Sequence, residues 1–270
     1  MSATPASCRA IIGRRSEHEY KRAEDHSDHR CRQRFGRGAA LALAAQGHRV
    51  IAGAQTGEQA EALRAQGLSQ ARKLDICDAA DVRSLDGLEI DVLLNNAGRG
   101  QLGALAEVPL DLVREVFEVN VFGTLRVTQA VLAGMRARRR GRVIIVSSIA
   151  GIFSGMLSGP YAMTKHALEA MAKSLRAEMQ AYGIEVCKLN PGPYATGFND
   201  AMVEGVEAMV AAGSPEAEMA RGTRQRMLGK QLDPAEIVQT MVALCTAAEV
   251  PFETFKPDDI LERYGVTPVR

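Results

Sequence analysis

Short apolar runs recur along the chain at intervals that helices fill. Arg49-Val50-Ile51-Ala52-Gly53, Ala71-Arg72-Lys73-Leu74, Val92-Leu93-Leu94, Val143-Ile144-Ile145-Val146 and Ile184–Leu189 read as strands. A continuous run such as Val143–Val146 has no polar face, as in a parallel strand buried on both sides. Helical periods lie between them. Phe35–Gly47 is rich in Ala and Leu and ends on a C-cap glycine. Gln59–Gln66 closes at Gly67, Leu110–Met135 is one long apolar-periodic region, and Tyr161–Met179 is a further helix. Met202, Val203, Val206, Met209 and Val210 place an amphipathic helix within 199–230. Asp233 as N-cap and Pro234 at N1 open the last helix, through Leu244. The alternation predicts a single α/β domain: a doubly wound parallel sheet with helices on both faces. The tail after Pro251 shows no convincing seventh strand.

Composition agrees with a soluble globular chain. Of its 270 residues, 46% are hydrophobic and 24% charged. A net charge of +1 argues against general electrostatic binding of nucleic acid. No apolar run is long enough to cross a bilayer, and no secretory signal is visible, so the expected location is cytoplasmic. Cys8, Cys31, Cys77, Cys187 and Cys245 are scattered and form no C-x-x-C pair, which reads as reduced thiols, with Cys77 and Cys187 as buried small hydrophobes. The dense run Arg136-Ala137-Arg138-Arg139-Arg140-Gly141-Arg142 follows a helix and precedes a strand. With no aromatic interleaved, it reads as a solvated helix cap.

The chemistry gathers in one stretch. Tyr161 and Lys165 are spaced i, i+4, one turn apart on one helical face. An ammonium beside a phenol favours the phenolate, so Tyr161 is expected below its ordinary value of about 10. Ser148 stands thirteen residues before Tyr161, at the end of the Val143–Val146 run. Strand ends meet helix starts on the carboxyl edge of such a sheet, where ligands bind. Asn95-Asn96-Ala97-Gly98 follows another strand, and Pro191-Gly192-Pro193-Tyr194-Ala195-Thr196 a third. Asn120 interrupts an apolar helix against its propensity, a mild conflict that marks a functional position.

This set, in this order, resembles the short-chain dehydrogenase/reductase family over about Phe35 to Phe198. The resemblance implies a Rossmann-like fold, a homo-dimer or homo-tetramer, and hydride exchange between NAD(P) and a carbonyl or secondary alcohol. It implies that Tyr161 is the general acid or base and that Lys165 tunes it and holds the nicotinamide ribose. Ser148 is implied to bond the substrate oxygen (Ser147 is its rival), and Asn120 to hold a water linking Lys165 to solvent. Gly36, Asp75, Ile76, Asn96, Ala97, Gly98, Pro191, Gly192 and Thr196 fall where the family contacts its cofactor. Asp75 reads equally well as a helix N-cap carboxylate. The end of the second strand, Ala54-Gln55-Thr56, lacks the acidic residue that would bond a ribose 2′-hydroxyl, which tilts the expectation to NADP over NAD.

Residues 1–34 depart from the pattern and form an atypical segment ahead of the 35–270 domain. They hold three of the five histidines and many arginines, with no helical or strand period. The family has an apolar strand and a T-G-x-x-x-G-x-G loop here, and only Gly36 matches. Codons for Asp25–Arg34, read one base later, permit Thr-Ile-Leu-Ile-Thr-Gly-Ala-Gly-Ser-Gly, which restores both. The segment therefore reads as largely frame-shifted. His26, His29 and Cys31 are a chance grouping in it rather than metal ligands, and no metal is expected.

Two other readings stand beside the oxidoreductase. A nucleotide-sugar epimerase or dehydratase uses Tyr and Lys on this fold, but little chain follows Thr196 to hold the sugar nucleotide. A cofactor-deficient, non-catalytic interaction protein would follow from a missing glycine loop. The loop Ile152–Pro160, mostly apolar and rich in glycine, points to an apolar or cyclic carbonyl as the small-molecule substrate.

Overall fold

The computed structural model describes residues 9–14 and 35–266. In chain order the elements are β1 (Arg9–Arg14), α1 (Phe35–Ala45), β2 (Arg49–Ala54), α2 (Gly57–Arg64), β3 (Arg72–Lys73), α3 (Ala79–Arg83) and β4 (Val92–Asn95). Then come α4 (Leu110–Phe117), α5 (Thr124–Arg138), β5 (Gly141–Val146), α6 (Gly159–Met179) and β6 (Ile184–Pro191). The chain ends with α7 (Phe198–Glu207), α8 (Pro215–Leu228), α9 (Ala235–Thr246), β7 (Glu253–Lys256) and α10 (Ile260–Arg263). The strands form one sheet in the order β3-β2-β1-β4-β5-β6-β7, every pair parallel. The order reverses between β1 and β4, which puts a ligand crevice at the carboxyl ends there.

The apolar runs are continuous because both faces are covered. Val50, Ala52, Leu94, Ile144, Val146, Cys187 and Leu189 pack on one face with residues of α1, α2 and α9. Their neighbours Ile51, Leu93, Val143, Ile145, Ile184 and Val186 pack on the other with α5 and α6. Helix α1 lies so close to α9 that a Cβ on Gly38 would sit 2.7 Å from Val238 Cγ2.

Several expectations are corrected here. A strand does exist within 1–34: Arg9–Arg14 pairs with β2 and β4, Ile11 opposite Ile51 and Leu93. Its apolar part, Ala10–Gly13, is too short to show a period. The shifted reading over 25–34, and His26, His29 and Cys31, lie outside the described residues. A seventh strand also exists, Glu253–Lys256, in register with Lys188–Pro191. Its Glu-Thr-Phe-Lys sequence is hidden because it is an edge strand with no fully buried residue. The long 110–135 helix is two α-helices joined by a π-helical turn, Glu118–Gly123, which removes the conflict of an asparagine in regular α-helix. The last helix starts one residue later than expected, with Asp233 Oδ1 accepting from the Ala235 amide at 2.9 Å.

The arginine run is only partly a solvated cap. Arg139 ends α5 in the left-handed conformation (φ 53°). Arg142 is buried: it pairs with Glu185 and donates to the main-chain oxygens of Leu244, Ala247 and Ala248. Cys187 is buried, which pushes its thiol up to about 12, and Cys77 is half-buried. No helix among the described residues is long and apolar enough to cross a membrane.

Candidate active site

Strand β5 ends at Val146, and the chain turns there through Ser147 and Ser148 into a single 3₁₀ turn, Ile149–Gly151. Ser148 caps that turn, its Oγ accepting from the Ala150 amide at 3.1 Å. The same hydroxyl bonds the Tyr161 side chain and lies 3.5 Å from the Pro191 main-chain oxygen. Ser147 points the other way. Its Oγ is buried without a partner, and a Cβ on Gly151 would stand 2.8 Å from it. Of the two serines, Ser148 is the one that reaches Tyr161.

Helix α6 begins with Pro160 in its first turn and presents Tyr161 and Lys165 toward β5. Lys165 Nζ donates to the Val146 main-chain oxygen at 2.9 Å and lies 5.6 Å from the centre of the Tyr161 ring. Both side chains are buried. Burial presses the Lys165 ammonium down to about 8, opposed by the charge of Glu169. The expected fall of the Tyr161 pKa is not found. Burial raises it, and the bond with Ser148 offsets only part. The cause is geometric: Lys165 spends a proton on a carbonyl rather than on the phenol oxygen, and an apolar roof covers the ring.

That roof comes from the segment between β6 and α9. Phe198 packs its ring 5.8 Å from the ring of Tyr161. Met202, Val203 and Val206 of α7 and Ala220 of α8 close a buried cluster with Leu102, Leu157 and Tyr161. The roof leans on the loop after β4, where a Cβ on Gly100 would overlap Met202.

Asn120 is fully buried and ties three parts of the site together. Its Oδ1 accepts from the Arg99 amide at 2.7 Å, and its Nδ2 donates to the Arg99 oxygen at 2.8 Å and to Thr164 Oγ1 at 3.0 Å. The turn Asn95–Gly98 is thereby pinned against α6. A Cβ on Gly98 would stand 3.4 Å from Asn120 Oδ1 and 4.0 Å from Lys165 Nζ, so the glycine keeps a narrow space open beside the ammonium.

The remaining expected positions spread along the carboxyl edge. Gly36 is buried in the first turn of α1. Asp75 accepts from the Cys77 amide at 2.9 Å and from Gln55 Nε2 at 3.2 Å, linking the ends of β2 and β3. It is not a helix cap, because Asp78 caps α3. Ile76 is buried and its main-chain oxygen accepts from Arg126. Asn96 and Ala97 are half-buried in the turn after β4. Pro191 ends β6, and the Gly192 amide donates to the Lys256 oxygen of β7 at 2.7 Å. Thr196 Oγ1 faces the Phe198 amide at the start of α7. No metal-binding group of His, Cys, Asp or Glu occurs among the described residues.

A buried polar cluster behind the site is absent from the sequence reading. Lys188 is fully buried and pairs with Glu169 and Glu253, and Asn190 donates to Glu169 Oε1 at 2.6 Å. One more step of four residues from Tyr161 and Lys165 would have reached Glu169.

Residues 31–207 match the short chain dehydrogenase family. The chain belongs to that family. It is 37% identical over 174 residues to the uncharacterized oxidoreductase YusZ of Bacillus subtilis, covering 60% of this chain and 62% of that one. It is 34% identical over 183 residues to an NADPH-dependent 3-dehydrocapnine reductase of Ornithobacterium rhinotracheale, covering 66% and 62%. Each match thus spans about three fifths of the relative. Among solved structures, a short-chain dehydrogenase from Streptomyces avermitilis superposes with a TM-score of 0.73 at 29% identity, over 97% of this chain and 91% of that one.

Proposed function

We propose that this chain is an NADP-linked oxidoreductase that interconverts an apolar carbonyl and its secondary alcohol. The observation that carries the reading is the convergence of Tyr161, Ser148 and Lys165 at the end of β5 under an apolar roof. The described residues suit a dinucleotide. Gly98 leaves space beside Lys165, and Gly36 is buried in the first turn of α1, whose free amides suit a phosphate. Lys165, Pro191, Gly192 and Thr196 would hold its nicotinamide half, and Asp75, Ile76, Asn96, Ala97 and Gly98 its adenosine half. When bound, the nicotinamide supplies or accepts the hydride.

Tyr161 is the proton donor for reduction. Such a role is served best by a pKa near the operating pH, and the bond with Ser148 lowers that of Tyr161 against the effect of burial. Ser148 shares a hydrogen bond with that phenol and would bond the same substrate oxygen, steadying negative charge as it develops there. Lys165 stabilises the phenolate left after proton transfer. The roof of Phe198, Met202 and Leu157 excludes water and favours an apolar substrate. The end of β2 carries Ala54 and Gln55 where an acidic residue would bond a ribose 2′-hydroxyl, which favours a 2′-phosphate, and a relative that is an NADPH-dependent reductase leans the same way.

The frame-shift reading of residues 25–34 belongs to this proposal for its glycine loop, since the strand that it would also supply competes with β1, which already lies between β2 and β4. One experiment tests both. A panel of cyclic and long-chain ketones is assayed with NADPH and NADH. It is run on the chain as it stands and on a variant carrying Thr-Ile-Leu-Ile-Thr-Gly-Ala-Gly-Ser-Gly at positions 25–34. Turnover with NADPH preferred, and higher stability and cofactor affinity in the variant, is the expected result. Equal behaviour of the two chains would reject the frame-shift reading. No reduction by either would reject the function.

A further inference from the structure

Tyr161, Lys165 and Glu169 follow one another at steps of four, so all three lie along one stripe of α6. The third is a carboxylate that the chemistry so far does not use. Glu169 is buried, with 6% of its side chain exposed. One oxygen pairs with Lys188, whose side chain is wholly buried, and the other accepts from Asn190 Nδ2 at 2.6 Å. The same Asn190 nitrogen donates to the main-chain oxygen of Ser148 at 3.1 Å. The carboxylate also leans on the turn that carries Ser148: a Cβ on Gly151 would stand 2.9 Å from Glu169 Cγ and 2.8 Å from Ser147 Oγ.

Stability alone does not explain the cluster. Two apolar side chains of similar volume commonly replace a buried ion pair with no loss. What an apolar pair could not do is hold the Ser148 segment by a hydrogen bond and set a negative charge one turn from Lys165.

We propose that Glu169, held by Lys188 and Asn190, is a positioning residue of this site, fixing the Ser148 turn through Asn190 and setting a carboxylate one helical turn from Lys165. The inference rests on the catalytic reading of Tyr161, Ser148 and Lys165. The groups around Lys165 and Glu169 leave few other sources of charge. From α6 come Tyr161 and Glu169, from β6 Lys188, and from β7 Glu253. From β5 comes the neutral Val146 carbonyl, and from the π-turn the neutral amide of Asn120 beside Gly98. Burial lowers the Lys165 pKa, and the negative charge of Glu169 opposes it.

The test uses the full chain, the variant Glu169→Gln, and the paired variant Glu169→Leu with Lys188→Met, which leaves no lone buried charge. The Lys165 ammonium is titrated by NMR of ¹³Cε-labelled lysine, its signal assigned from the spectrum of Lys165→Met. This needs neither cofactor nor substrate. The expected result is a Lys165 midpoint lower by about one pH unit in Glu169→Gln and by less in the paired variant, which removes the Lys188 cation with the carboxylate. The alkaline limb of kcat/KM should move down with it, and kcat should fall about tenfold as Ser148 loosens. If Glu169→Gln does not fold, the paired variant decides. An unchanged Lys165 midpoint in the paired variant would overturn the charge role, and an unchanged kcat the positioning of Ser148. A chain that reduces no ketone fails the proposed function instead, and the titration still decides this one.

Discussion

The two ends of the sheet use buried cations in opposite ways. At the amino end, Arg142 meets Glu185 and three main-chain oxygens, so its donors are spent on fixing structure. At the carboxyl end, Lys165 is as deeply buried but touches one main-chain oxygen, with its nearest carboxylate a helical turn away. Its pKa is pressed down to about 8. A saturated guanidinium is a staple. An ammonium with a single main-chain acceptor is not. The contrast teaches that burial of charge is not by itself a mark of function. What marks it is the count of unspent donors.

The largest expected effect falls at the carboxyl end. Tyr161→Phe removes one hydroxyl and keeps the ring packed on Phe198. Turnover should drop by about 10² to 10⁴, the usual worth of a general acid, while NADPH affinity, measured by fluorescence titration, stays near the parent value. A loss under tenfold would take Tyr161 out of proton transfer. At the amino end the comparable change is Arg142→Met. It leaves three main-chain oxygens at the end of α9 without their buried donor, while the half-exposed Glu185 returns to water. Stability should fall by about 1 to 3 kcal/mol in urea unfolding, the cost of buried acceptors left unsatisfied. Loss of activity with no loss of stability would erase the distinction between the two ends.

Lys165→Met sharpens the comparison through pH. The folded pKa of Lys165, about 8, lies below its ordinary 10.5. Between those values the unfolded chain binds the extra proton, so the parent gains stability as pH rises from about 8 to 10.5 and carries the full cost of the buried ammonium below 8. The methionine variant should lack that rise and melt higher than the parent at neutral pH, though it cannot turn over substrate normally. A variant with the same pH slope as the parent would mean that Lys165 is not the group responsible.

How much of this was legible in the sequence follows from what each residue type must announce. Val143–Val146 and Val92–Leu94 declare buried strands because both faces need apolar side chains. Tyr161 and Lys165 declare a shared face because the helix period is fixed. Glu253–Lys256 announces nothing, since an edge strand against β6 needs only a backbone register. Ala10–Gly13 is likewise too short to be seen between arginines. The raised Tyr161 pKa was missed because the i, i+4 spacing gives proximity but not direction, and Lys165 is turned to Val146. Lys188 and Asn190 look like breaks in an apolar strand. They share the face of Ile184 and Val186, against α6, and only the fold shows that Glu169 waits there.

The smallest effect is expected two residues before Arg142. Arg140 reaches Asp91 at 3.1 Å, and its side chain is 73% exposed. Both partners are solvated when apart, so the pair gains little Coulomb energy and gives up side-chain freedom. Arg140→Ala should change the unfolding free energy by less than about 0.5 kcal/mol and leave activity alone. Raising salt should shrink even that difference, because an exposed pair is screened. The arginine run would then divide by burial rather than by sequence, with Arg142 carrying the structural load and Arg140 almost none. An effect of Arg140→Ala as large as that of Arg142→Met would show that the run acts as one network, and the amino end could no longer be described residue by residue.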